Sequence, residues 1–147
     1  MTDIIYTCTN YVRILIDDTD SSDYEYSDKR LSDLIIMSCS YVNNDTDSKY
    51  TVDLCSKTVS PDPDSNFINL VALKSVCLLA SAQYSRNART GDVKVNDGVT
   101  SVDLKGLSSG LKDFSKTACE NYARELNNYL LGRDIRGVIV TTPNSES

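Results

Sequence analysis

The sequence predicts a mainly α-helical fold: a small bundle of about four helices, a β-hairpin between the last two long helices, and an extended C-terminal tail. Three observations predict it. Four segments repeat apolar residues at three- and four-residue steps. One stretch, "DVKVNDGVTSVDL", alternates apolar and polar residues on both sides of Asp97-Gly98. The last apolar run, "RGVIVTT", is short, β-branched and preceded by Gly132.

The first helix is expected over residues 3–16, with Ile4, Ile5, Cys8, Val12, Leu15 and Ile16 on one face and Asp3 as N-cap. The acid-rich stretch "DDTDSSDYEYSDKRL" follows. Its acids invite a calcium-loop reading, but the loop template wants acids at positions 1, 3 and 5, Gly at 6 and Glu at 12. Started at Asp18, the template meets Asp23 in place of Gly and Lys29 in place of Glu; started at Asp17, it meets Ser22 in place of Gly. A solvated connection into a helix fits better, with Ser27 as N-cap, Asp28 at the positive end of the dipole and Tyr26 stapling onto Leu31.

The second helix is expected over 28–42, on Leu31, Leu34, Ile35, Cys39 and Val42. Residues 50–59 alternate at Tyr50, Val52 and Leu54 and then lose register, as a short strand or an extended link. "SPDPDSN" breaks the chain, because proline fixes its own φ and restricts the residue before it. The third helix, 65–87, is apolar nearly all round and so belongs in the centre. Asp97-Gly98 suits a type I′ turn, which pairs Val95 with Thr100 and Val93 with Val102 and gives the hairpin, 92–104, one apolar face. The fourth helix is expected over 108–131, on Leu111, Phe114, Ala118, Tyr122, Leu126 and Tyr129, with Gly132 at its C′ position. Residues 1–136 then form a single domain, and 137–147 a strand-like arm and tail.

Charge and composition narrow the function. The chain has 147 residues, 40% of them hydrophobic, enough for one core. Its net charge of −6 argues against coating nucleic acid with its own surface. The opening residues lack the basic region and cleavage site of a signal peptide. The longest apolar run, "FINLVALKSVCLLASA", carries Asn69 and Lys74 and is short for a bilayer, so no membrane partner is expected. There is no histidine, which removes Ser-His and Cys-His catalysis. The five cysteines are far apart and odd in number, and are expected to be free thiols serving as small hydrophobes. No P-loop, GxGxxG or GxSxG motif is present. No enzyme, catalytic residue, metal or cofactor is predicted. A metal-dependent enzyme built on the Asp17–Asp23 loop is the weakest of the readings weighed.

Two segments carry a resemblance. In "YVRILIDDTDSSDYEYSDKRLSDLIIMSCSYV" the residues are Arg13, Leu15, Ile16, Asp18, Thr19 and Asp20, then Tyr26, Ser27, Asp28 and Leu31. The second runs from "ALKSVCLLASAQYSRNARTG" through the "V-x-V-x-D-G-x-x-S-V-D" stretch into the last helix. In this order and spacing the chain resembles the head–tail connector (adaptor, or neck) proteins of tailed bacteriophages. Asp17 stands where that pattern has Gly, and the 43–64 linker is longer than a compact member needs.

The resemblance implies a virion structural protein at the portal vertex, made in the host cytoplasm. It implies a ring of about twelve copies beneath the portal protein, extending the DNA channel and receiving the tail or next neck protein. DNA would pass through without specific binding, which an acidic surface favours. Strand-like segments can add to a neighbour's sheet, so the expected interface residues are Val93, Val95, Val99 and Val102 of the hairpin, Val138, Ile139 and Val140 of the arm, and Arg133 and Arg136 beside it. The alternative reading is a non-ring helical interaction module, or a virion assembly factor in the host cytoplasm.

Overall fold

The computed structural model describes residues 3–91 and 101–141, with side chains described over 3–89 and 109–133. The chain is mainly α with one small antiparallel hairpin, as its sequence predicts. The order is α1 (Ile4–Leu15), α2 (Asp28–Asp45), β1 (Thr51–Asp53), β2 (Thr58–Ser60), α3 (Ser65–Gly91) and α4 (Ser101–Thr141). The two strands pair Thr51 with Ser60, Val52 with Val59 and Asp53 with Thr58.

Local chemistry sets the helix starts. Asp3 accepts from the Ile5 and Tyr6 N–H groups, Ser27 from Arg30 N–H, and Asp64 from Phe67 N–H. Each satisfies first-turn donors that have no partner inside the helix. Two helix ends share one device. Past α1, the Asp17 and Asp18 N–H groups bond the Ile14 and Arg13 carbonyls, and Asp17 takes φ 58°. Past α2, the Asp47 and Ser48 N–H groups bond the Asn44 and Asn43 carbonyls, and Asp47 takes φ 50°. Both are Schellman motifs, in which the left-handed residue is usually glycine. That is the physical reason a Gly suits position 17.

The core lies where α1, α2 and α4 cover α3. Val12, Leu31, Ile35, Val42 and Val71 are fully enclosed, with Cys8 and Cys39 beside them. By length and apolar composition residues 65–89 of α3 are sufficient to cross a membrane, so the shortness expected of its apolar run does not decide its role. The packing of three helices around it accounts for that composition.

Four expectations are corrected. Among the described residues the hairpin lies between α2 and α3. The Tyr50 ring packs tilted against that of Phe67 with centroids 4.5 Å apart, Val59 is buried, and Lys57 Nζ ties the turn to Asp33 (2.6 Å) and Ser32 (2.7 Å) of α2. The apparent loss of register in 50–59 is the turn itself: Asp53 accepts from the Cys55 and Ser56 N–H groups, and Lys57 takes φ 56°. Of the hairpin expected at 92–104, residues 92–100 lie outside the described residues, and 101–104 are the first turn of α4. Leu104, Leu107 and Leu111 extend the helical spacing of the α4 stripe, and that period prevails over the two-residue alternation at Val102.

Gly132 does not end α4. No described glycine has a positive φ, and the helix runs on to Thr141. Arg133, the next residue, donates to the Thr46 carbonyl at 2.6 Å, which satisfies an end group of α2 and ties α4 to it just beyond the glycine. Residues 137–141, expected as a strand, are therefore helical; 142–147 lie outside the described residues. Finally, Cys77 and Cys119 are not free thiols but a disulfide joining α3 to α4. Cys8, Cys39 and Cys55 are free.

Candidate functional site

Four residues of the first connector-like segment, Arg13, Asp18, Tyr26 and Asp28, converge. Arg13 is 4% exposed. The Schellman turn after α1 swings Asp18 back toward it, and Arg13 Nη1 pairs with Asp18 Oδ2. Arg13 Nη2 donates to the Tyr26 carbonyl (2.9 Å) and to Asp28 Oδ1 (2.7 Å). The Tyr24 ring lies 3.6 Å from the guanidinium carbon, close enough for cation–π attraction. Asp18 also accepts from the Glu25 N–H (2.9 Å) and Tyr26 N–H (3.4 Å). One buried ion pair thus clasps the end of α1, the acidic loop and the start of α2. Its charged groups are engaged with one another, an arrangement that suits architecture, while the Tyr26 hydroxyl is buried without a hydrogen-bond partner.

Elsewhere in the acidic loop, Asp20 is bonded within its own turn. Asp20 accepts from Ser22 N–H (2.9 Å) and Ser22 Oγ (2.6 Å), and these bonds hold its carboxyl below the usual range. Among the described residues no group of three or more Cys, Asp or Glu side chains is placed to hold a metal ion.

A second polar cluster joins α2, α3 and α4. Tyr122 Oη donates to Asp45 Oδ2 (2.6 Å), and Lys74 Nζ lies 3.6 Å from the same oxygen and 4.6 Å from the Tyr122 ring. Burial, then the bond to Asp45, raises the Tyr122 phenol above its ordinary value. The hydroxyl is thus bonded across the bundle.

The feature best suited to bind something is an open groove of about 790 Å³ where α1 ends, α3 begins and α4 passes. Tyr11, Ile14 and Leu15 form its α1 wall; Ile14 is 66% and Leu15 47% exposed. Leu70 and Leu73 of α3 add apolar surface, and Asp64 and Glu125 supply negative charge. Gly132 and Arg133 of α4 line it as well. Gly132 is not there to admit a close neighbour, since a Cβ added to it would meet nothing within 4 Å.

The expected interface residues divide between the two ends of one helix. Arg133 is in the groove, and Arg136, Val138, Ile139 and Val140 follow it in the last turns of α4. Val102 is at the far end of that helix, ~54 Å away at 1.5 Å per residue. Val93, Val95 and Val99 lie outside the described residues. Sequence reasoning missed the α1 wall because it assigned Leu15 to the buried stripe. The available signal was Ile14, an isoleucine off that stripe. Compared with known families, curated proteins and solved structures, the chain matches none.

Proposed function

We propose that the protein is a head-to-tail connector of a tailed-bacteriophage virion, assembling as a ring beneath the portal and presenting a surface to the tail or next neck protein. One observation carries the reading. The residues of the connector-like segment, Arg13, Asp18, Tyr26 and Asp28, meet in a single buried clasp. That convergence gives the spacing of these four residues a common structural role, which is what supports the reading.

Two further features agree with it. The ion pairs of Arg13 and the Tyr122–Asp45 bond join helices to one another, as suits a structural part. The net charge of −6 suits a channel component that must let DNA slide, because like charges repel phosphates. The strand-adding arm expected from "RGVIVTT" drops out, since residues 136–141 are helical; assembly in this reading uses helix faces.

The groove on its own also fits the second reading, a helical interaction module that takes one partner without closing a ring. Mixing the chain with purified portal rings of its own virus separates the two. A connector caps one face of the ring at a ratio near one copy per portal subunit. A module leaves portal rings bare in electron micrographs, and that result discards the connector reading.

A further inference from the structure

We propose that the Cys77–Cys119 disulfide is a redox latch: a dithiol reductant opens it, α4 lifts from the other three helices, and the groove that α4 walls is lost. The latch does not depend on the connector reading.

The described residues divide into a core and a cover. Val12, Leu31, Ile35, Val42 and Val71 are fully enclosed with Cys8 and Cys39, and all seven lie on α1, α2 or α3. The Arg13 clasp joins α1 to α2, and Lys57 ties the hairpin to α2. None of these contacts uses α4. Over 109–133, where its side chains are described, α4 buries only Ala118 and Tyr122. Leu126 and Tyr129 pack partly buried against the core.

The seam between α3 and α4 is made of small residues. The Cα atoms of Cys77 and Cys119 are 4.6 Å apart, and Ser81 Oγ lies 3.1 Å from Ser115 Oγ one turn along. On the other side Lys74 meets Tyr122, so the two helices are antiparallel. Small side chains let backbones approach closely but bury little apolar area. The hold on α4 therefore leans on the covalent bond, on the Tyr122–Asp45 hydrogen bond and on Arg133 at the Thr46 carbonyl. Water replaces the partners of those two hydrogen bonds when α4 moves away. Nothing replaces the disulfide. Elements held by few buried contacts open first, and the bridge falls on the element that has the fewest.

The bridge is reachable, because Cys119 is half-buried. Cys8 and Cys39 are buried with their thiols raised by burial, which keeps them out of exchange. A thiolate of the reductant attacks Cys119 Sγ and forms a mixed disulfide, and Cys77 leaves as a thiolate and takes a proton. The second thiolate of the reductant then attacks its own sulfur in that mixed disulfide, and Cys119 leaves and takes a proton. Two electrons and two protons pass to the chain, and the dithiol becomes a disulfide. A disulfide oxidant reverses both steps.

The consequence falls on the groove. Its α4 wall carries Glu125, Tyr129 and Arg133, and its α3 floor carries Leu70 and Leu73. Release of α4 removes the wall and leaves the floor bare. Any partner that docks there meets a formed groove in oxidising surroundings and an open helix face in reducing ones.

The test is hydrogen exchange of the full chain, read by mass spectrometry, in the oxidised state, after dithiothreitol, and after reoxidation with glutathione disulfide. Reduction should speed exchange over 109–133 about tenfold or more and leave α1 and α2 protected, and reoxidation should restore the slow rate. A chain carrying both Cys77→Ser and Cys119→Ser should exchange at the fast rate in both conditions, which separates the latch from other effects of the reductant. Equal acceleration through α1, α2 and α4 would overturn the proposal, because the bridge would then guard the whole fold. Unchanged exchange over 109–133 would overturn it as well, as would peptide mapping that finds Cys77 and Cys119 as free thiols after glutathione disulfide.

Discussion

Replacing Arg13 with Leu should cost ~3–5 kcal/mol of stability, the range for breaking a buried ion pair by removing one partner. The Asp18 side chain is 6% exposed and would keep only its two backbone N–H partners. The other contacts add little. Asp28 is 80% exposed, so its pair contributes ~1 kcal/mol or less, and the Tyr24 contact contributes ~0.5–1 kcal/mol. A loss of this size is about a fifth or more of the ~5–15 kcal/mol typical of a domain. Asp18→Asn should cost less, ~1–3 kcal/mol, because Arg13 retains Asp28 and the Tyr26 carbonyl. The double variant should cost at least ~1 kcal/mol less than the two single losses together. Urea unfolding followed by far-UV circular dichroism, with unchanged slope, measures all three. An Arg13→Leu chain within ~1 kcal/mol of the parent, or strictly additive losses, would refute the clasp as the element that fixes α1 to α2.

Three other outcomes follow from the same structure. Asp17→Gly should stabilise by ~0.5–1.5 kcal/mol, since it relieves a left-handed non-glycine and removes an anion from a helix C-terminus; a lower Tm would contradict the Schellman account. Cys77→Ser should cost ~4 kcal/mol under oxidising conditions, because the Cys77–Cys119 bridge spans 42 residues of sequence, and should cost almost nothing in excess reductant. Burial pushes the Cys39 thiol up to about 12, against 9.0 as its ordinary value. The unfolded chain therefore releases that proton first, and stability should fall as pH rises from about 9 toward 12. Cys39→Ala should flatten the slope by about one proton, and native thiol labelling should reach Cys55 while sparing Cys8 and Cys39.

Much of the fold was legible because its signals are local. Asp3 and Ser27 were readable as N-caps from side-chain chemistry alone. Helix α3 was readable as central from apolar residues on every side. What was not legible depends on contacts remote in sequence. Gly132 reads as a helix stop until Arg133 is seen holding the Thr46 carbonyl. Residues 50–59 read as broken until Asp53 and Lys57 are seen shaping a turn. Nothing in the spacing of five cysteines couples Cys77 to Cys119; only the antiparallel register of α3 and α4 does. The Arg13 clasp falls between these cases. Its members were picked out by resemblance, but their convergence depends on the left-handed turn at Asp17. The groove was invisible because helical spacing predicts which face is buried and not how far the neighbouring helices extend to cover it.

The central claim is that this chain is a ring component of the portal–tail axis. Quantitative mass spectrometry of purified particles of the source virus, comparing this chain with the portal protein, tests it most directly. The account predicts a copy ratio near one. Absence of the chain from particles, with portal protein present, would contradict it.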